Sequence, residues 1–159
     1  MATSWSYVPN DVYKPADELI EKLVDIVSKG GNFLLNIGPG PDGELDPVAY
    51  DRLKEIGNWM KINGEAIYKT RMYKVFGEGN NIRFTQSKDG STTYIFFFSF
   101  PKEPVTLKNL SLGKKCSVKM LGNNTNLKYK ILPQGVQLII PEKLEKAGKH
   151  VWVLKVVQK

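Results

Sequence analysis

The chain has 159 residues, of which 42% are hydrophobic and 25% charged, and its net charge is +7. This composition predicts a globular protein of one ordinary domain or two small ones and excludes a disordered chain. The longest apolar runs fall far short of the roughly 20 residues that a membrane-spanning helix needs, and the N-terminus has no basic and then apolar leader, so we expect no membrane partner and no signal peptide. With one cysteine, Cys116, and one histidine, we expect no disulfide, metal or cofactor.

The charge is divided unequally, because residues 1–70 carry −4 and residues 71–159 carry +11. Such asymmetry suggests two units. The lysines of the second unit are spread along predicted strands and do not form a run, which favours a solvated sheet face. We therefore expect no nucleic-acid partner.

Residues 1–70 have the pattern helix, strand, helix. Apolar residues recur at helical spacing from Pro15 for about 14 residues, and Gly30-Gly31 supplies a stop. The short apolar run Asn32 to Ile37 predicts a parallel strand that is buried on both faces. A second helix is predicted from Asp46, as N-cap, and Pro47 to Asn63-Gly64.

From about Tyr73 the hydrophobic period changes to two, which is typical of strands. The segment Lys88-Asp89-Gly90-Ser91 is a strong hairpin turn signal. Seven or so short strands predict an antiparallel β-sandwich over residues 71–159, with a boundary near residues 70–73. The chain is thus predicted to be α+β, and the predicted strands cover 82–87, 92–100, 105–110, 115–121, 127–132, 136–140 and 150–157.

Between the first strand and the second helix, Gly38, Gly40 and Gly43 have the G-x-G-x-x-G spacing of a dinucleotide-binding loop. Two prolines remove N–H donors from this loop, and three acidic residues would repel a pyrophosphate. We interpret the loop as turn chemistry at the carboxyl end of a strand, which is also where α/β folds place the rim of an active site.

Several stretches carry a family resemblance: Ser4-Trp5-Ser6-Tyr7, the run from Gly31 to Pro39 ("GNFLLNIGP"), and the helix end from Asn63 to Tyr68 ("NGEAIY"). With these motifs the chain closely resembles the C-terminal part of the family 29 glycoside hydrolases, the α-L-fucosidases. The resemblance implies that residues 1–70 are the last one or two βα units of a (β/α)₈-like catalytic barrel and that residues 71–159 are the whole sandwich.

The resemblance further implies retaining hydrolysis of terminal α-L-fucose, with an aspartate nucleophile and a carboxylic general acid/base on earlier barrel strands. No catalytic residue is therefore assigned in this chain. The family's Ser-Trp-Gly-Tyr motif lies close to the sugar pocket, so Trp5 is implied as a substrate-binding residue, with packing as the alternative. Ser6 replaces the usual glycine. The resemblance also implies a secreted, periplasmic or lysosomal location.

The residues themselves argue against catalysis by this chain alone. Retaining hydrolysis needs two carboxyl groups about 5 Å apart, whereas Asp42, Glu44 and Asp46 are better explained by turns and an N-cap. His150 is expected in a surface or packing role. A lone parallel strand has unpaired edges, so residues 1–70 must find foreign strands, self-associate or rearrange into a helical layer against the sandwich.

Two hypotheses follow from these observations. In the first, the chain is an inactive fucosidase portion that meets a fucosylated glycan only through the complete enzyme, with the missing barrel portion or a second copy as its partner. In the second, it is a stand-alone module, which either binds carbohydrate through exposed aromatic residues and lysines or serves only in oligomerisation. The aromatic residues proposed for this role are Tyr73, Tyr129 and Trp152.

Overall fold

The computed structural model describes residues 1–113, 116–123 and 125–158. Within these ranges two α-helices precede eight strands, and short 3₁₀ helices occupy Gly64–Ala66 and Glu142–Ala147. No helix in the described part of the chain is long and apolar enough to cross a membrane. The elements are α1 (Ala16–Ser28), α2 (Pro47–Asn63), β1 (Thr70–Glu78), β2 (Ile82–Ser87), β3 (Thr92–Phe97), β4 (Val105–Leu107), β5 (Cys116–Met120), β6 (Lys128–Leu132), β7 (Gly135–Ile139) and β8 (Trp152–Gln158).

The strands form two antiparallel sheets, one of five strands in the order β1-β2-β3-β8-β5 and one of three in the order β4-β7-β6. Alternate side chains of both sheets fill the space between them, as the period of two predicts. The predicted α+β fold with a sandwich is therefore confirmed. Of the predicted strand 115–121, the first residue lies outside the described residues. The inner core includes Phe84, Ile95, Phe97, Leu107, Val118, Leu138, Leu154 and Val156.

The two helices lie on the outer face of the five-stranded sheet. Ile20 and Val24 of α1 and Trp59 of α2 are buried there, and the indole N–H of Trp59 donates to the carbonyl of Val151 at 2.9 Å. This second cluster also contains Phe96, on the opposite face of β3 from the inner core. In the structure of the single chain, the helices of residues 1–70 form a layer against the sandwich.

A partly buried ion pair joins α1 to the sheet. The carboxylate of Asp25 accepts a hydrogen bond from Nε of Arg83 at 2.6 Å, and Lys29 contacts its other oxygen at 2.6 Å. The guanidinium of Arg83 lies over the rings of Phe76 and Phe98. Burial opposes ionisation of Asp25, but the hydrogen bonds from Lys29 and Arg83 outweigh it and lower the pKa of this carboxyl below its ordinary value.

The C-terminal end of α1 and the N-terminal end of α2 have the residues that the sequence predicts. Gly30 has a φ of 81°, and Gly31 donates to the carbonyl of Ile26 at 2.9 Å, which completes a Schellman motif after α1. Pro47 is the first residue of α2. The capping role of Asp46 is wrong in one respect, because its side chain makes no cap hydrogen bond and instead accepts from the hydroxyl of Tyr13 at 2.9 Å.

The predicted parallel strand from Asn32 to Ile37 is not formed. The segment has no assigned strand structure, and Leu34 exposes 87% of its surface. Leu35 and Ile37 pack toward the helices, in a cluster with Leu19 of α1. The apolar pattern fits a strand that is covered on two sides, but the described residues provide cover on only one side and no neighbouring strand.

Candidate functional site

The loop that carries Trp5 is held by a carboxylate. Asp11 accepts hydrogen bonds from the hydroxyl of Thr3, from the backbone N–H of Ser4 at 2.9 Å and from that of Val12 at 2.7 Å. These bonds, the one from Thr3 first, lower the pKa of Asp11 to about 2. The loop is thus fixed by an ionised carboxylate over the whole range from weakly acidic to neutral pH.

This loop is joined to the extended segment 32–37. The amide Nδ2 of Asn36 donates to the carbonyl of Trp5 at 2.7 Å, and the terminal amine of Met1 donates to the carbonyl of Asn36 at 2.6 Å. A Cβ atom on Gly38 would lie 2.6 Å from the backbone nitrogen of Tyr7, so the two backbones approach closely only because residue 38 is glycine. The Asn36 and Gly38 contacts are therefore what position Trp5.

Trp5 itself is free on the surface, with 81% of its area exposed. It lines a recess of about 310 Å³ together with Leu34, Asn36 and Lys14. An exposed indole can lie against the apolar face of a ring, while an amide and an ammonium can hydrogen-bond to hydroxyl groups. The recess thus combines an exposed aromatic face with side chains that can hydrogen-bond. Sequence reasoning missed the role of Asn36, whose signal was its place at the end of an apolar run.

The loop that contains Gly38, Gly40 and Gly43, here called the glycine loop, is a set of turns. The N–H of Gly40 donates to the carbonyl of Glu44 at 2.7 Å, and the N–H of Gly43, at a φ of 84°, donates to the carbonyl of Gly40 at 2.9 Å. The donors that would face a phosphate are used within the loop, which favours the turn interpretation over dinucleotide binding.

The acidic residues of this loop are each engaged locally. Asp42 accepts from the backbone N–H of Glu44 at 3.1 Å, and Glu44 accepts from the hydroxyl of Tyr50 at 3.2 Å. Asp42 and Glu44 are exposed to solvent. A catalytic pair needs one carboxyl group kept protonated by its surroundings, and these two residues have no such enclosure. No group of three or more metal-ligating side chains occurs in the described part of the chain.

His150 is not a surface residue, contrary to one of the two roles expected from sequence. Its side chain is only 10% exposed, and Nε2 lies 3.4 Å from the carboxylate of Glu55 on α2. Burial lowers the pKa of His150. The histidine therefore packs where the helical layer meets β8.

The aromatic residues named for a stand-alone carbohydrate module differ in position. Tyr73 is buried and packs on Phe84 at 5.7 Å between ring centres. Tyr129 is partly buried, and its hydroxyl lies 3.0 Å from the sulfur of Cys116. Trp152 lines a pocket between α2 and the sandwich. The three side chains thus form no common binding face.

Comparison with known families gives two matches that follow one another along the chain. Residues 1–65 match the family model described as alpha-L-fucosidase, and residues 78–157 match the model described as alpha-L-fucosidase C-terminal domain. The second match covers half of the chain.

Individual proteins agree with the family models. The chain is 35% identical to tissue alpha-L-fucosidase of Mus musculus over 87% of its length and 34% identical to that of Homo sapiens over 96%. It spans 32% and 34% of those proteins, or about a third of each. Among solved structures, the alpha-fucosidase of Thermotoga maritima with a mechanism based inhibitor is 29% identical and superposes with a TM-score of 0.87 over 99% of this chain and 38% of that one. Isoenzyme 1 from Paenibacillus thiaminolyticus is 26% identical, with a TM-score of 0.85 and the same coverage.

Proposed function

The chain belongs to the α-L-fucosidase family and corresponds to a C-terminal portion of such an enzyme, and from that premise we propose that it supports the retaining hydrolysis of terminal α-L-fucose without performing it alone. Retention requires two carboxyl groups about 5 Å apart, one ionised and one protonated. The described acidic residues of the glycine loop are solvated or locally bonded, so in this proposal the nucleophile and the general acid/base belong to the remaining two thirds of the enzyme.

One observation carries the proposal, namely the two different faces of segment 32–37. Leu35 and Ile37 lie against the helices, while Leu34 on the other side is exposed. This one-sided cover is how a strand of a (β/α)₈ barrel is arranged when its helices are in place and its neighbouring strands are not. We therefore propose that residues 1–70 complete a catalytic barrel, that residues 71–159 are its sandwich, and that the partner of segment 32–37 is the barrel portion of the enzyme.

In this arrangement Trp5 is proposed to contact the fucose ring. Its loop lies beside the end of segment 32–37, where Asn36 fixes the carbonyl of Trp5. The carboxyl ends of barrel strands are where active sites of such folds lie. The indole would orient the sugar through its ring face, and the chemical step would be left to carboxylates elsewhere. The substrate is then a fucosylated glycan, met only by the assembled enzyme.

The first experiment assays the purified chain on an aryl α-L-fucoside. We expect no turnover above the background rate. If the chain hydrolyses the fucoside and Asp42→Asn or Glu44→Gln abolishes that activity, the proposal is overturned, because the catalytic carboxylates would then lie on the glycine loop.

The second experiment restores the missing part. The chain replaces the corresponding C-terminal portion of the Thermotoga maritima enzyme, with which it superposes over 99% of its length. We expect the chimera to hydrolyse the aryl fucoside and Trp5→Ala to raise its KM about tenfold, since one lost ring contact is worth about 1–1.5 kcal/mol. Val12→Ala, at a residue that is 69% exposed, is the matched control and leaves the KM unchanged. Equal kinetics for Trp5→Ala and the unsubstituted chimera would remove Trp5 from the site.

We also propose a secreted, periplasmic or lysosomal location, which rests on family membership. Secretion of the longer protein from its source cells, measured by fucosidase activity in the medium or in isolated lysosomes, tests this. Activity confined to the cytosol would contradict it.

A further inference from the structure

A second pocket lies between α2 and the edge of the sandwich, away from Trp5. Its volume is about 260 Å³, and none of its lining residues lines the recess at Trp5. Ligand pockets commonly have volumes of about 300–1,000 Å³, so this one suits a single ring. Asn58 and Ile62 of α2 form one wall, and Leu121 and Trp152 of the sandwich form the other.

The inner surface of this pocket is mostly apolar, with Asn63 and His150 as polar lining residues, and its two indoles are held in place. The indole N–H of Trp152 donates to the carbonyl of Glu145 at 2.9 Å, and that of Trp59 donates to the carbonyl of Val151 at 2.9 Å. Both indoles have thus used their polar atom, and what they present to the pocket is carbon. A rigid apolar surface of this kind binds the hydrophobic face of a ring at little cost in conformational entropy.

The mouth of the pocket is cationic. Lys146 and Lys149 both line it, and so does Glu55. The carboxylate of Glu55 is shared between Lys149 at 3.0 Å, Arg52 at 3.1 Å and Nε2 of His150 at 3.4 Å, so the two cations already compensate its charge. Lys146 forms no ion pair with any described residue. An excess of positive charge therefore remains beside an apolar ring site.

We propose that this pocket binds a saccharide ring that carries one negative charge, either a carboxylate or a sulfate. The apolar face of the ring lies on Ile62, Leu121 and Trp152, and the anion lies by Lys146 and Lys149. Neutral fucose satisfies only the first of these requirements. The site is thus separate from the one at Trp5 and adds recognition of acidic glycans, and it stands whether or not the chain supports fucose hydrolysis.

The test measures binding to the chain itself by heteronuclear NMR titration. The probes are methyl glucuronide and galactose 6-sulfate, with methyl galactoside as the neutral control and acetate and sulfate ions as controls for charge alone. We expect both charged sugars to shift the resonances of Asn58, Leu121 and Trp152 and to bind at least tenfold more tightly than the neutral sugar, with affinity that falls as salt rises. Equal binding of neutral and charged sugars, or no binding of any sugar, would overturn the proposal. Binding of the acetate and sulfate ions as tightly as the charged sugars would also overturn the proposal, because the pocket would then be a site for small anions only. Response to only one of the two charged sugars would support the proposal and would identify the anionic group as a carboxylate or a sulfate.

Two variants test the location. Lys146→Glu should weaken charged-sugar binding about tenfold, whereas Lys143→Glu, an equal charge change at an exposed position in the same 3₁₀ helix, should not. Asn58→Trp places a bulky side chain at the pocket wall and should abolish binding while the circular dichroism spectrum stays unchanged. Equal losses in both lysine variants would show that only the general charge of the surface matters and would refute the site.

Discussion

The exposed face of segment 32–37 makes a prediction that depends on one side chain. Leu34 exposes 87% of its surface, so only about 13% of it contributes burial. Full burial of a leucine is worth about 1.5–3 kcal/mol, and that fraction corresponds to about 0.2–0.4 kcal/mol. Leu34→Ala should therefore change the free energy of unfolding of the isolated chain by less than about 0.5 kcal/mol.

The adjacent Leu35 supplies the matched control, since it packs against the cluster of Leu19 and Ala49. Leu35→Ala should cost about 1–3 kcal/mol, less than the removal of a fully buried leucine because Leu35 is only partly buried. Urea denaturation at two protein concentrations measures both values. A cost for Leu34→Ala that equals that for Leu35→Ala, or that grows with concentration, would refute the reasoning, because the exposed face would then already be covered by a second copy. In the chimera, by contrast, Leu34→Ala should cost about 2–5 kcal/mol, since barrel strands would enclose it.

Three further changes test the contacts that hold the helices and loops. Asp25→Asn should lower the free energy of unfolding by about 1 kcal/mol at pH 7, since the pair with Arg83 is partly exposed. Because the pKa of Asp25 is lowered in the folded state, the contribution of this carboxylate to stability is fully present above the ordinary value of 3.8 and is lost as pH falls through the folded value. The denaturation curves of variant and parent should therefore converge in acid. Trp59→Phe should lower the free energy of unfolding, measured with heat or urea, by about 1–3 kcal/mol, because it leaves the buried carbonyl of Val151 without its donor. An unchanged free energy would mean that water replaces the indole. Gly38→Ala should cost about 1–3 kcal/mol and shift the NMR resonances of the first seven residues, since a Cβ there meets backbone at 2.6 Å; an unshifted spectrum would contradict the close approach.

Local features could be predicted where a few adjacent residues determine the backbone conformation. The stop at Gly30 needs only a residue that tolerates a positive φ, and the start at Pro47 needs only a fixed φ. The turn at Gly90 likewise has a φ of 74° and a hydrogen bond to the carbonyl of Ser87 at 3.0 Å. These elements depend on a few adjacent residues, so a single sequence contains the information.

The features that were missed depend on distant parts of the chain or on other strands. The pairing of β1 with β2 shifts register between Met72 and Gly77, which interrupts the alternation that marks a strand. His150 lies beside Glu55, which is far away in sequence, so the sequence alone does not choose between its two expected roles, surface and packing. The run Asn32 to Ile37 was predicted as a strand because its composition suits a sheet that the described residues do not build. The apolar pattern of this run thus indicates surroundings of neighbouring strands and does not determine the local backbone conformation.

The central strand β3 belongs to two hydrophobic clusters at once. All six of its residues are buried, with Ile95 and Phe97 facing the inner core and Tyr94 and Phe96 facing the helical layer. Neither layer can melt without exposing one side of this strand, so sandwich and helices are expected to unfold as one cooperative unit. The backbone amides of β3 should then exchange with deuterium only through global opening, at the slowest rate in the molecule.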